Sequence, residues 1–268
     1  MLNKSFIKNL LQEYNLRPNK RLGQHFLINQ KVLQKIVRAA ELSEKDIVLE
    51  IGPGLGILTK ELAQKVKKVI AVEKDEKIVQ ALKEIMKDYK NVEIIQGDIL
   101  KIQELPLNRY KLVANIPYYL TSPLIRLFLE SRQPPQEMTL LIQKEVAQRI
   151  CAKPPKTNLL AVAVQLYSQP KIISYISKKS FWPQPKVDSA IIKISRIKRP
   201  KNTKTEKFFQ IVKAGFSSPR KQLANNLSKK LNLDQEKIKK ALTECHLDIR
   251  VRAENLRVED WLKLSSKI

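Results

Sequence analysis

Cysteine is scarce: the 268 residues hold two, Cys151 and Cys245, far apart and beside no histidine or cysteine partner pattern. That disfavours both a disulfide framework and a zinc or other metal site, and points to reduced thiols in the cytoplasm. Long apolar runs are also missing. None approaches the roughly 18 residues of a membrane span, so no membrane partner is expected. The first residues, MLNKSFIKNLLQEY, are basic and amphipathic without a small-residue cleavage site. They read as a first helix in preference to a secretory signal or a mitochondrial presequence. Acidic residues are outnumbered, 26 Asp and Glu against 51 Lys and Arg, for a net charge of +25. A surface of that sign attracts a polyanion, nucleic acid ahead of an anionic membrane. Hydrophobic residues make up 43%, which excludes a disordered chain, and the length suits one large domain or two small ones.

Helical spacing over 3–14 sets Phe6, Ile7, Leu10 and Leu11 on one side. Pro18 and Gly23 turn the basic stretch 17–27 into a loop, and 30–40 is helical again. From Asp46 short apolar runs alternate with helical stretches. Strands are expected at 47–51, 68–73, 92–95, 110–114 and 137–143, with helices at 58–65, 75–87 and 122–132. Strands near 164–176 and 190–196 close the series. Such alternation predicts an α/β fold, a Rossmann-like twisted sheet with helices on both faces. The basic stretch 196–204 lacks apolar periodicity and reads as a linker. Beyond it only helices are expected, at 205–215, 219–231, 234–245 and 258–265. Residues 193–268 hold 20 Lys and Arg against 8 Asp and Glu, whereas the first 192 hold 31 against 18. The tail is the more densely basic part, as an RNA-gripping lobe would be. The expected division is a cofactor-binding catalytic domain over 1–199 and a small all-helical RNA-binding domain over 200–268.

Glu50-Ile51-Gly52-Pro53-Gly54-Leu55-Gly56 follows the first βαβ strand and opens a helix. Glycines let the backbone turn sharply and lie close against a ligand. The third glycine of the dinucleotide fingerprint is replaced by Ile57, and the Walker Lys-Ser/Thr pair is absent, so NAD and nucleoside triphosphates are disfavoured. A nucleoside without pyrophosphate, such as S-adenosyl-L-methionine, remains. Glu73, ending the second strand, can accept from both ribose hydroxyls. Asp98, ending the third, can accept from the adenine amine, and Asn115 ends the fourth. Ligands of open α/β sheets sit outside these carboxyl ends.

Asn115-Ile116-Pro117-Tyr118 suits methylation of a ring amine. The N6 lone pair of adenine is delocalised and weakly nucleophilic. Two acceptors, the Asn115 side-chain oxygen and the Ile116 carbonyl, can take its two hydrogens and favour a pyramidal nitrogen. Pro117 biases Ile116 to extended backbone, and Tyr118 can stack on the base. No strong base is needed, since the alkylated amine is acidic. Phe181, in the stiff segment 181–189, can cover the other face of the base or simply cap the core.

The chain resembles the bacterial ribosomal RNA adenine dimethyltransferases of the small subunit, the KsgA/RsmA family. The resemblance rests on Lys20-Arg21-Leu22-Gly23-Gln24-His25-Phe26-Leu27, EIGPGLG at 50–56, Glu73, Gly97-Asp98, NIPY at 115–118, FWPQPKVDSA at 181–190, Phe216 with Arg220-Lys221, and Arg252-Ala253-Glu254-Asn255-Leu256. It implies S-adenosyl-L-methionine as methyl donor. It implies two adjacent adenosines in the 3′-terminal hairpin of 16S rRNA, in the immature 30S subunit, as target during ribosome biogenesis. It implies cofactor contacts at His25, Leu27, Gly52, Glu73, Asp98 and Asn115, with Gly54 in the same loop. His25 stands where the family more often has Asn; imidazole can still donate or accept. A monomer is the simplest assembly. The nearest rival is a 23S rRNA methyltransferase of the macrolide-resistance type, from which segments 216–223 and 252–256 separate this chain. A non-catalytic RNA-binding factor on the same fold would lack cofactor affinity. A DNA adenine methyltransferase would differ in motif order and tail.

Overall fold

The computed structural model describes residues 2–19, 22–102, 105, 107–200 and 204–268. Lys20 and Arg21 of the first motif and positions 201–203 of the expected linker lie outside them. In chain order the elements are α1 (Lys4–Glu13), β1 (Phe26–Leu27), α2 (Gln30–Ala39), β2 (Ile47–Ile51), α3 (Ile57–Ala63), β3 (Lys68–Glu73), α4 (Glu76–Ile85), β4 (Val92–Gln96) and β5 (Tyr110–Asn115). There follow α5 (Thr121–Glu130), β6 (Met138–Gln143), α6 (Lys144–Ile150), α7 (Leu159–Gln165), β7 (Gln169–Ile176), β8 (Phe181–Trp182) and β9 (Ser189–Ser195). The tail is α8 (Thr205–Gly215), α9 (Leu223–Leu231), α10 (Gln235–Glu244) and α11 (Val258–Lys267). The chain divides into two compact units. One is Met1–Ala147 with Gln169–Ile197, the other Gln148–Ser168 with Lys198–Ile268.

The first unit is built on a seven-stranded sheet of order β4-β3-β2-β5-β6-β9-β7. The first five strands are parallel; β9 runs antiparallel between β6 and β7. From β2 the chain steps outward through β3 to β4, then returns to the other side of β2 with β5. That reversal opens a crevice at the carboxyl ends of β2 and β5. β2 and β3 are apolar and buried almost throughout, as strands covered on both faces must be. On one face, Leu33, Ile36 and Val37 of α2 and Leu58 and Leu62 of α3 pack with Val48, Val69 and Val113 of the sheet. Local chemistry starts the helices. The Asn29 side chain accepts from the Lys31 and Val32 N–H groups at α2, and Asp75 accepts from Lys77 and Ile78 at α4. Each such cap contributes about 1 kcal/mol.

Four expectations shift. Phe6 is 44% exposed while Ile7 and Leu11 are buried, so the apolar stripe of α1 is narrower than its spacing suggests. Residues 144–165 form α6 and α7, and the strand expected from 164 begins at Gln169. LLAVAVQ is apolar without a clear period; the Asn158 side chain, accepting from the Ala161 N–H, commits it to helix. α9 starts at Leu223, not at 219. Pro219 instead lies in a turn closed by the Lys221 N–H on the Ser218 carbonyl. Finally, the loop 17–27 contains β1, which pairs antiparallel with β8, Phe26 opposite Trp182 and Leu27 opposite Phe181.

The second unit is helical: α7 packs on α8, and α8 on α9 and α11. Phe208, Leu227, Leu242 and Trp261 are fully buried there. Gly215 makes that packing possible, since a Cβ on it would stand 2.4 Å from the Trp261 ring. Among the described residues no helix is long and apolar enough to cross a membrane, and no cluster of three His, Cys, Asp or Glu could hold a metal.

Candidate active site

The cleft at the carboxyl ends of β2 to β5 collects the residues singled out as candidates for cofactor binding and catalysis. His25, Leu27, Gly52, Gly54, Glu73, Asp98, Asn115, Ile116, Pro117, Tyr118 and Phe181 all line it. Its floor is the turn after β2. Gly54 has φ +58°, and a Cβ there would crowd the Phe26 ring at 3.2 Å, so only glycine keeps the backbone bare at this point. The Gly54 N–H donates to Glu73 Oε2 at 3.2 Å, and the Lys74 and Asp75 N–H groups donate to Oε1 at 2.8 and 3.0 Å. Glu73 is 8% exposed. Burial pushes its carboxyl up, and the three N–H groups pull the other way. Asp98, two residues past β4, lies 3.0 Å from the Lys74 ammonium, whose hydrogen bond is the main force holding its carboxyl below the usual range.

The wall opposite is tied by main-chain carbonyls. His25 Nδ1 lies 2.6 Å from the Pro183 carbonyl. A carbonyl only accepts, so Nδ1 carries the proton. Asn115 Nδ2 donates to the His25 carbonyl at 3.3 Å. The same logic commits the amide nitrogen to the protein and leaves the amide oxygen as the group that can accept from a ligand. The Tyr118 hydroxyl shares a 2.8 Å hydrogen bond with Ser189 Oγ, the first residue of β9. Burial pushes that phenol up, and the ring lies 5.9 Å from the His25 imidazole. Phe181 is only 3% exposed and packs with Leu27, Ile176 and Ile191 while still forming part of the cleft wall.

Three lining residues escape a reading of the sequence. Glu50 in β2 is 1% exposed, and its carboxyl is pushed up to about 8 by burial, with a smaller push from the Glu73 charge. The Thr59 side chain pulls it down, by more than the Glu73 charge pushes it up. Glu50 Oε2 and Thr59 Oγ1 have no partner among the described residues. A lone acid inside an apolar strand is the available signal. Tyr119 is 55% exposed at the mouth, against Gly23; a doubled tyrosine is its signal. Lys74 has none, because its partner Asp98 is distant in sequence.

The sheet order, the glycine turn and the carboxylates at successive strand ends define a Rossmann-like methyltransferase. Comparison narrows this. A family model described as ribosomal RNA adenine dimethylase matches residues 15–268, and the chain belongs to that family. It is 43% identical to a ribosomal RNA small subunit methyltransferase A of Dehalococcoides mccartyi, covering 96% of this chain and 90% of that protein. It is also 43% identical to the protein of that name from Clostridium botulinum, covering 97% and 98%. Among solved structures it resembles a dimethyladenosine transferase from Plasmodium falciparum, with a TM-score of 0.76 and 32% identity over 90% of this chain and 96% of that one. It also resembles the 23S rRNA methyltransferase ErmE, with a TM-score of 0.75 and 27% identity over 90% and 98%.

Proposed function

We propose that this rRNA adenine dimethyltransferase uses S-adenosyl-L-methionine to dimethylate N6 of two adjacent adenosines in the 3′-terminal hairpin of 16S rRNA. It acts as a monomer on the maturing small subunit, in the cytoplasm. The observation that carries the reading is the Asn115 amide. Its nitrogen is held by the His25 carbonyl and its oxygen remains available, beside a glycine turn bare enough for a nucleoside.

The residues present fit the cofactor. Gly52 and Gly54 would give close backbone approach, Glu73 would accept from the ribose hydroxyls and Asp98 from the adenine amine, and His25 and Leu27 would close the side. When bound, the cofactor supplies an electrophilic methyl group. The chain's own residues act on the acceptor. Asn115 Oδ1 and the Ile116 carbonyl take the two N6 hydrogens, orienting the amine and releasing its lone pair from the ring. Pro117 holds that carbonyl in place. Tyr118, anchored through Ser189, stacks on the base, and Phe181 backs the pocket with apolar surface. As the N–C bond forms, the methyl group's bond to the donor sulfur would break and the donor would leave as a neutral thioether, while the nitrogen becomes acidic and loses a proton to water, so no strong base is required. The basic helical tail, 200–268, grips RNA.

Unmethylated 30S particles and isolated 23S RNA, each incubated with labelled donor and analysed by nucleoside mass spectrometry, test this. N6,N6-dimethyladenosine in the 30S rRNA alone is expected. Label in 23S RNA alone would favour the reading that the likeness to ErmE suggests. Failure to bind the donor by titration calorimetry would favour a non-catalytic RNA-binding factor.

A further inference from the structure

An aromatic and cationic patch outside the cleft belongs to none of the roles above. β7 is the last strand of the sheet. Its Tyr175 is 52% exposed, and the neighbouring Ile173 is 41% exposed. The Lys144 ammonium sits over the Tyr175 ring, 5.3 Å from its centre. The pair is joined to the active site by short links. The Tyr118 hydroxyl bonds to Ser189. Asp188, the preceding residue, accepts the Lys144 N–H through its carbonyl at 3.0 Å. Ser189 is the register partner of Ile176, the residue after Tyr175. Tyr175 itself pairs with Ala190, one strand spacing, about 4.8 Å, from β9, so its ring stands on the face of the sheet opposite to the Ser189 side chain.

The charge around it is positive. Lys144, Lys178, Lys179 and Lys186 have no carboxylate partner among the described residues. The nearby acids are Glu145 and Asp188, and Asp188 Oδ1 accepts the Lys178 N–H. Pairing of a partner strand is blocked on this edge. Pro170 lacks an N–H, Lys171 is exposed, and the register breaks between Ile172 and Ser174. What is left suits a nucleic acid: a ring face for a base and ammonium groups for phosphates.

We propose that Tyr175 is a stacking platform for an unpaired base of the RNA substrate outside the cleft, with Lys144 holding the adjoining phosphate. The inference rests on the reading of the cleft as an RNA adenine site. Stacking on an aromatic is worth enough to shift affinity about tenfold per base.

The test uses the full chain and a fluorescein-labelled short RNA hairpin with an adenosine-rich loop, followed by anisotropy, with titration of S-adenosyl-L-methionine alongside. Tyr175→Ala is expected to weaken hairpin binding about tenfold, while Tyr175→Phe and Tyr175→Trp keep it and all three bind the methyl donor like the parent. Lys144→Gln is expected to make the dependence of log affinity on log salt shallower, by the share of about one phosphate. Parental hairpin binding by Tyr175→Ala would overturn the platform, as would an equal loss in Tyr175→Phe, which would assign the effect to the hydroxyl. A Tyr175→Ala defect confined to whole 30S particles, with hairpin binding intact, would make this patch a protein-docking surface and overturn the RNA assignment. Failure of the underlying function is separately visible: a parent that binds the hairpin through Tyr175 but transfers no methyl group retains the platform and loses the enzyme.

Discussion

At the scale of the residue, two side chains carry opposite kinds of prediction. In the proposed reaction Asn115 acts through orientation, since its nitrogen donates to the His25 carbonyl and its oxygen is left for the substrate. Asn115→Ala removes an acceptor aimed at the reacting amine and should lower methyl transfer at least about 100-fold, the usual cost of losing one preorganised transition-state interaction. RNA affinity, measured by filter binding, should stay unchanged. Glu50 acts through burial. Its carboxyl is pushed up to about 8 from the ordinary 4.5, so between those values the folded chain holds a proton that the unfolded chain releases. Its contribution to stability is whole below about pH 4.5 and is lost as pH rises through 8. Each tenfold change in proton affinity is worth about 1.4 kcal/mol, so the loss amounts to several kcal/mol. Glu50→Gln cannot ionise. Scanning calorimetry should find it close to the parent near pH 5 and several degrees more stable near pH 9, and equal melting at both pH values would refute the buried-acid account.

At the scale of the element, what the sequence reveals follows from how many residues share one signal. β2, β3 and β5 are apolar runs ending in ligand-type residues, so both the strands and Gly52, Glu73 and Asn115 at their ends are legible. β1 and β8 have two residues each, too few to show a period, and their pairing joins segments that lie far apart in the chain, Phe26 with Trp182. The strand expected from 164 takes in the end of α7, because an apolar run suits a helix or a strand equally until its cap is recognised. The raised carboxyl of Glu50 is a property of everything around it, which no local pattern encodes. Gly215, the last residue of α8, lets two effects compete. In an open helix Gly→Ala would stabilise by about 1 kcal/mol. Here the new Cβ would lie 2.4 Å from Trp261 and 2.8 Å from Leu223, and overpacking of that kind costs about 1–3 kcal/mol. Gly215→Ala should therefore lower the urea midpoint; a raised midpoint would mean that the Trp261 ring yields easily.

At the scale of the whole molecule the dominant quantity is charge. With a net +25, association with RNA is driven by counterion release and must weaken steeply with salt. Replacing Arg220, Lys221, Lys229 and Lys230 together with Gln should weaken binding and make the slope of log affinity against log salt shallower, by about 0.7–0.9 for each phosphate no longer neutralised. Melting temperature should scarcely change, as these side chains are largely exposed. An unchanged slope would move the RNA surface elsewhere. The cleft itself draws His25, Asn115, Phe181 and, through Tyr118, Ser189 into one place. A nascent chain of fewer than 189 residues lacks at least one of these groups. The cleft wall is therefore completed late in translation, only once Ser189 has been made.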